Sequence, residues 1–157
     1  MENKYFIPDI ENIHIGYECE LLMNTNVSIL NPTNNSPEFK PFVFEKNKIG
    51  LLIELYDSIR VPYLTKEQIE AEGWGFETVL FADDDENDVY SDGFAKRIDQ
   101  DHWYEMVLRK DNKIHIVYKW YRNSVAQLWR DIYYGECKDI NSFRTIIKLL
   151  KIKYYEQ

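Results

Sequence analysis

Trp103-Tyr104-Glu105-Met106-Val107-Leu108 and Ile114-His115-Ile116-Val117-Tyr118-Lys119-Trp120 flank Lys110-Asp111-Asn112-Lys113. Two runs rich in β-branched and aromatic residues on either side of a polar Asp-Asn turn are a strong hairpin signal. Upstream, Phe76-Glu77-Thr78-Val79-Leu80-Phe81 reads as a strand, and Phe94 to Ile98 is weakly strand-like. Downstream, Gln127 to Tyr134 reads as a further strand leading through Gly135 to Cys137. A helix closes the chain from about Asn141 to Lys151, with Ile140, Phe143, Ile147 and Leu150 at spacings of 3, 4 and 3 on one face.

The strands before this meander are less regular. Ile13, Ile15, Tyr17, Cys19 and Leu21 alternate with His14, Glu18 and Glu20, a strand with one wet face. Asn24 to Pro37 is a polar loop, and Pro41-Phe42-Val43-Phe44 and Leu51-Leu52-Ile53-Glu54-Leu55-Tyr56 both read as strands. Pro62 disfavours helix at Val61, so Arg60 to Leu64 is extended. The best local signature follows. Thr65 and Gln68 have capping-box spacing, Leu64 and Ile69 form a hydrophobic staple, and Gly73 supplies a left-handed C′ residue. The short helix therefore spans 65–72, and Trp74 folds back onto Ile69. The expected class is α+β: a mostly antiparallel, strongly bent sheet with the helices near 65–72 and 141–151 packed on it. The 157 residues suit a single domain over 1–157, read alternatively as an N-terminal β part over 1–58 and a helix-sheet-helix part over 59–157 sharing one core.

Composition limits the function. Twelve Tyr, 8 Phe and 4 Trp make 15% of the chain aromatic, which suits half-buried strands or a binding surface. The net charge of −8 repels a phosphate backbone, so direct nucleic-acid binding is not expected. Cys19 and Cys137 lack CxxC spacing and read as small buried hydrophobes of a reducing compartment, with a disulfide between them left open by sequence. No apolar stretch approaches the ~20 residues that cross a bilayer. Met1-Glu2-Asn3-Lys4-Tyr5 has no basic segment leading into an apolar one. A cytoplasmic protein with no membrane partner is expected.

Chemistry has few candidates. Asp83, Asp85 and Asn87 share the 1-3-5 spacing of a calcium loop, but Asp88 replaces the turn glycine and Phe94 stands where a bidentate Glu belongs. A solvated acidic loop is the plainer reading, with weak cation attraction as the alternative. His14, His102 and His115 form no HxH or HExxH, and no nucleophile elbow or phosphate-binding glycine motif is present. His14 and His115 are expected on the solvated faces of strands. No catalytic residue is nominated and no cofactor is implied. Trp103, Trp120, Arg122, Trp129 and Arg130 interleave aromatic and basic side chains that could stack a flat ligand and pair with a phosphate. Ordinary cross-strand aromatic pairs explain the same pattern.

Tyr5-Phe6-Ile7-Pro8 with Ile13 to Glu20, then Ile59 to Trp74, then Gly135 to Phe143 with the closing helix, resemble small uncharacterised accessory proteins of bacteriophages and prophages of gut Bacteroidetes. The resemblance covers most of the chain apart from 24–48 and 82–101, and it carries no residue roles. It implies an accessory protein in a bacterial host cytoplasm. The expected function is non-catalytic binding: of a host protein, or of a small nucleotide-like ligand that is sequestered to counter a host defence. A minor virion or assembly component is the alternative, with self-association into a homo-oligomer. A metal-dependent hydrolase using the acidic loop ranks third.

Overall fold

The computed structural model describes residues 4–23, 38–82, 88–109, 111–122 and 126–152, with 51, 53, 81–82, 88–90, 122 and 126 described by backbone only. The chain divides into two compact units, 1–63 and 64–157.

In the first unit, strands β1 (Tyr5–Phe6), β2 (Glu18–Met23), β3 (Glu38–Val43) and β4 (Ile59–Pro62) form an antiparallel sheet in the order β1-β4-β2-β3. Pro41 is tolerated because β3 lies at the edge of the described sheet, where its missing N–H does not interrupt a ladder between inner strands. Cys19 and Leu21 alternate inward from β2 and join Ile13, Tyr17, Phe44, Ile59 and Val61 in one buried cluster. The alternation read from Ile13 onward holds in strand form only from Glu18. Before it, His14 to Tyr17 is a turn closed by the Tyr17 N–H donating to the His14 carbonyl at 3.0 Å, with Gly16 at φ +89°. His14 is therefore exposed on a turn and not on a strand.

Leu51 to Tyr56 is not a strand. A 3₁₀ turn over Ile49–Leu51, helix α1 (Leu52–Leu55) and a second 3₁₀ turn over Tyr56–Ser58 run continuously. Ile49, Leu52, Leu55 and Tyr56 all pack on the core. Their spacing of 3, 3 and 1 is helical, and a short apolar run does not by itself distinguish the two periods.

The second unit opens with helix α2 (Lys66–Ala71). The capping box is present in full: Gln68 N–H donates to Thr65 Oγ1 at 3.3 Å, and Thr65 N–H donates to Gln68 Oε1 at 3.0 Å. Gly73 takes φ +78°, a conformation costly for any residue with a Cβ, and turns Trp74 into the cluster that holds Leu64 and Ile69. Strands β5 (Gly75–Ala82), β6 (Asp88–Arg97), β7 (His102–Leu108), β8 (Lys113–Arg122) and β9 (Ala126–Glu136) then form an antiparallel meander in sequence order. Asn112 at φ 58° makes the turn between β7 and β8. Helix α3 (Ile140–Leu149) is capped by Asp139, whose carboxylate accepts from the Ser142 N–H at 2.7 Å. Its Ile140, Phe143, Ile146 and Ile147 cover one face of the meander, against Phe94, Met106, Ile114 and Ile116.

The opposite face curls inward. The Lys119 ammonium on β8 donates to the Leu80 carbonyl on β5 at 2.7 Å, three strands away. In a flat sheet those strands would lie about 14 Å apart, beyond the reach of a lysine. Gly93 permits the close approach this requires, because a Cβ there would lie 2.4 Å from a Val79 methyl. Val79, Val107 and Val117 fill the concavity.

The fold is α+β, with its antiparallel strands shared between two sheets. No helix among the described residues is long and apolar enough to cross a membrane.

Candidate functional site

Strand alternation sorts the aromatic and basic residues nominated from sequence onto two faces. His102 faces Trp120, Tyr104 faces Tyr118, and Tyr118 faces Arg130 across the ladders, all on the face that α3 covers. Trp103 and Trp129 both pair with Lys119 and project from the inward-curling face. The five nominated residues therefore do not make one site. Arg122 lies at the end of β8, and its side chain falls outside the described residues.

Trp103 is buried, and its indole N–H donates to Glu105 Oε1 at 2.7 Å. Glu105 Oε2 accepts from Lys119 at 2.7 Å, within a pair that is almost fully withdrawn from water. This chain of donors and acceptors is architectural: Trp103 and Glu105 bond along β7, and Lys119 ties Glu105 on β7 and Leu80 on β5 to β8. A small cavity of about 190 Å³ lies beside it, lined by Leu80, Lys119, Gln127 and the exposed Trp129.

The larger feature is on the helix side. A groove of about 610 Å³ runs between the meander and the end of α3, lined by Ile98, Tyr104, Tyr118, Arg130, Ile132, Leu149 and Leu150, with Asp131 also bordering it. Its size lies within the range typical of small-molecule sites. The floor is aromatic: Tyr118 stacks on Trp120 with centroids 5.4 Å apart, lies nearly parallel to His102 at 6.1 Å, and leans on Tyr104 at 5.4 Å. One wall is aliphatic, and Leu149 is 74% exposed at the rim. Burial pushes the Tyr118 hydroxyl above its ordinary range; Asp99 adds to that and Arg130 opposes it, so both charges are felt at the ring.

Arg130 reaches this face through a bulge. Ile116 pairs with Tyr133, but Val117 pairs with Asp131, so Ile132 is an extra residue on β9. Without it, Asp131 would stand opposite Tyr118 and Arg130 would point to the other face. With it, Arg130 borders the groove, Ile132 packs against the helix-side core, and the Asp131 carboxylate accepts from His115 Nε2 at 2.7 Å. Among the described residues, no carboxylate or carbonyl bonds the Arg130 guanidinium.

Asp99 stands near the groove on the turn between β6 and β7. Its carboxylate accepts from His102 Nδ1 at 2.8 Å and from the Asp101 N–H at 2.8 Å. Those two bonds, the histidine first, hold it below the usual carboxylate range. The cysteines offer no nucleophile. Both are free and buried, and burial pushes the Cys19 thiol up to about 11 and the Cys137 thiol up to about 12, away from the reactive thiolate. Asp83, Asp85 and Asn87 lie outside the described residues. Among the described residues, no group of three or more His, Cys, Asp or Glu is placed to hold a metal ion.

Sequence pattern pointed to Arg130 and Trp120 but missed Tyr104 and Tyr118. Counting back equally from the turn would have paired them, since each lies in the hairpin at matched register. Ile98, Leu149 and Leu150 carried no signal, because only the packing of α3 brings them to the same groove. Comparison with protein-family models, curated proteins and solved structures found no match to this chain.

Proposed function

We propose that this is a non-catalytic binding protein whose groove between the meander and α3 takes a small flat ligand of nucleotide type. The observation that carries the reading is the Arg130 guanidinium, without an ion-pair partner among the described residues, set opposite Tyr118 in an aromatic-floored groove. Stacking on an aromatic side chain is worth about 1–3 kcal/mol per base, and arginine pairs with anionic groups through its planar fork. Tyr104 and Tyr118 supply the stacking surface, Ile98, Ile132 and Leu150 the apolar wall, and Arg130 the charge. The resemblance to phage and prophage accessory proteins supports a role in withholding such a molecule from a bacterial host.

The test is thermal denaturation of the full chain against nucleosides, nucleotides and aromatic acids, because any ligand of the native state raises the melting temperature. A rise with at least one ring-bearing anion, lost in Tyr118→Ala, supports the reading. No rise with any of them, or a rise that Tyr118→Ala leaves intact, overturns it.

A second reading, self-association through a sheet edge, is favoured by the eleven-residue strand β9, which among the described strands pairs only with β8 and exposes Trp129 and Tyr134. The bulge and the charges of Arg130, Asp131 and Glu136 work against it, as they do on edge strands generally. Sedimentation across a hundredfold concentration range tests it, and a concentration-independent monomer removes it.

A further inference from the structure

We infer that the ligand of the groove carries a single negative charge on a flat aromatic body, and that polyphosphates are rejected. This rests on the groove being the binding site, as proposed above, and it goes further by assigning the ligand's charge from the groups around it.

The charges facing Tyr118 come from four elements. From β9 comes Arg130, with no ion-pair partner among the described residues. Asp131 also borders the groove, but its carboxylate is bonded to His115. From the turn before β7 comes Asp99, held ionised by His102 and the Asp101 amide, and close enough for its charge to act on the Tyr118 hydroxyl. His102, on β7, stacks on Tyr118 and faces the same carboxylate. From α3 comes the C-terminal end of the helix, where Leu149 and Leu150 form the wall. The last carbonyls of a helix carry a partial negative charge, which Lys148 in the last turn offsets in part.

One arginine thus faces one fixed carboxylate and the negative end of a helix. A ligand with one anionic group places it on Arg130 and lays its ring on Tyr118. A triphosphate gains the same single pairing, and its remaining charges meet Asp99 and the helix end, which Lys148 offsets only in part. The aliphatic wall formed by Ile98, Ile132 and Leu150 selects in the same direction, because it excludes water from whatever it touches.

The experiment is calorimetric titration of the full chain at 0.15 M salt with adenosine, 3′,5′-cyclic AMP, AMP and ATP, repeated with Arg130→Ala and Asp99→Asn. Asparagine retains the side-chain oxygen that accepts the Asp101 N–H, so the turn is preserved. The expected result is cyclic AMP binding at least about tenfold tighter than ATP, at least a tenfold loss for cyclic AMP in Arg130→Ala, and a narrowed gap between cyclic AMP and ATP in Asp99→Asn. ATP binding as tightly as cyclic AMP, with the Arg130→Ala loss intact, overturns the single-charge assignment and leaves the groove reading standing. No binding of any of the four, or binding indifferent to Arg130→Ala, overturns the groove reading and the assignment together.

Discussion

Arg130 stands opposite Tyr118 across the β8–β9 ladder because β9 carries one extra residue, Ile132, just beyond it. Side-chain direction alternates strictly along a strand, so one inserted residue exchanges the faces of all that follow. The bulge therefore sets an arginine, and not an aspartate, opposite Tyr118. Exchanging the two residues, Arg130→Asp with Asp131→Arg, preserves composition and net charge while placing a carboxylate beside Tyr118. Unfolding stability is expected to change by only about 1 kcal/mol, as for most surface substitutions, while the ligand-induced rise in melting temperature disappears. A retained rise would show that the register does not govern binding.

Lys119 and Glu105 form a pair nearly sealed from water, bonded at 2.7 Å. Lys119→Met leaves the Glu105 carboxylate buried against Trp103 without its cation, at an expected cost of about 3–5 kcal/mol. Adding Glu105→Gln keeps an acceptor for the Trp103 N–H and removes the charge, so roughly half of that loss should return. Urea unfolding of both variants measures this, and equal losses in the single and double variants would contradict the pairing.

In the first unit, the Arg60 guanidinium lies between the rings of Tyr5 and Phe39, at 3.8 and 3.7 Å from their centroids. It also donates through Nε and Nη2 to Glu20 Oε2, at 2.7 and 2.6 Å. A lysine retains the charge but loses the plane that stacks and the fork that bonds twice. Arg60→Lys should cost about 1–2 kcal/mol in chemical denaturation.

The buried thiols make stability fall in alkali. Cys137 is raised from 9.0 to about 12 and Cys19 from 9.0 to about 11, in each case chiefly by burial. Above pH 9.0 the unfolded chain releases thiol protons that the native state retains. The contribution is therefore complete below pH 9.0 and is lost as pH rises towards 11 and 12. Tyr118 and Tyr133, raised by burial, act in the same sense. Lys96, lowered by burial, acts in the opposite sense, with stability gained as pH approaches 10.5. Comparing the wild type with Cys137→Ala isolates the thiol. The wild type's advantage should shrink by something on the order of 2 kcal/mol between pH 8 and pH 10.5. An unchanged difference would show that the thiol is not protected.

Where a signal is carried by neighbours in the chain, it was legible. The capping box at Thr65 and Gln68, the left-handed Gly73, the β7–β8 hairpin and the amphipathic face of α3 depend on contacts within a few residues, and each formed as the residues predict. The apolar run over 51–56 misled because its helical spacing shows only when Ile49 is counted with it. Trp103 and Trp120 looked equivalent in the chain, yet one is consumed in a buried polar chain and the other stacks beside the groove.

The sequence by itself determined the secondary elements of the second unit apart from β6, whose first half it read as acidic loop, together with the α+β class and the aromatic content from which a groove could be built. Tertiary structure alone decided which aromatics meet, and that Arg130 meets them. Alternation sends neighbouring residues to opposite faces, and a one-residue bulge can reverse that assignment without leaving a mark in local composition. The aliphatic wall was likewise settled only by where α3 came to rest, because the forces that dock a helix depend on area buried between segments distant in the chain.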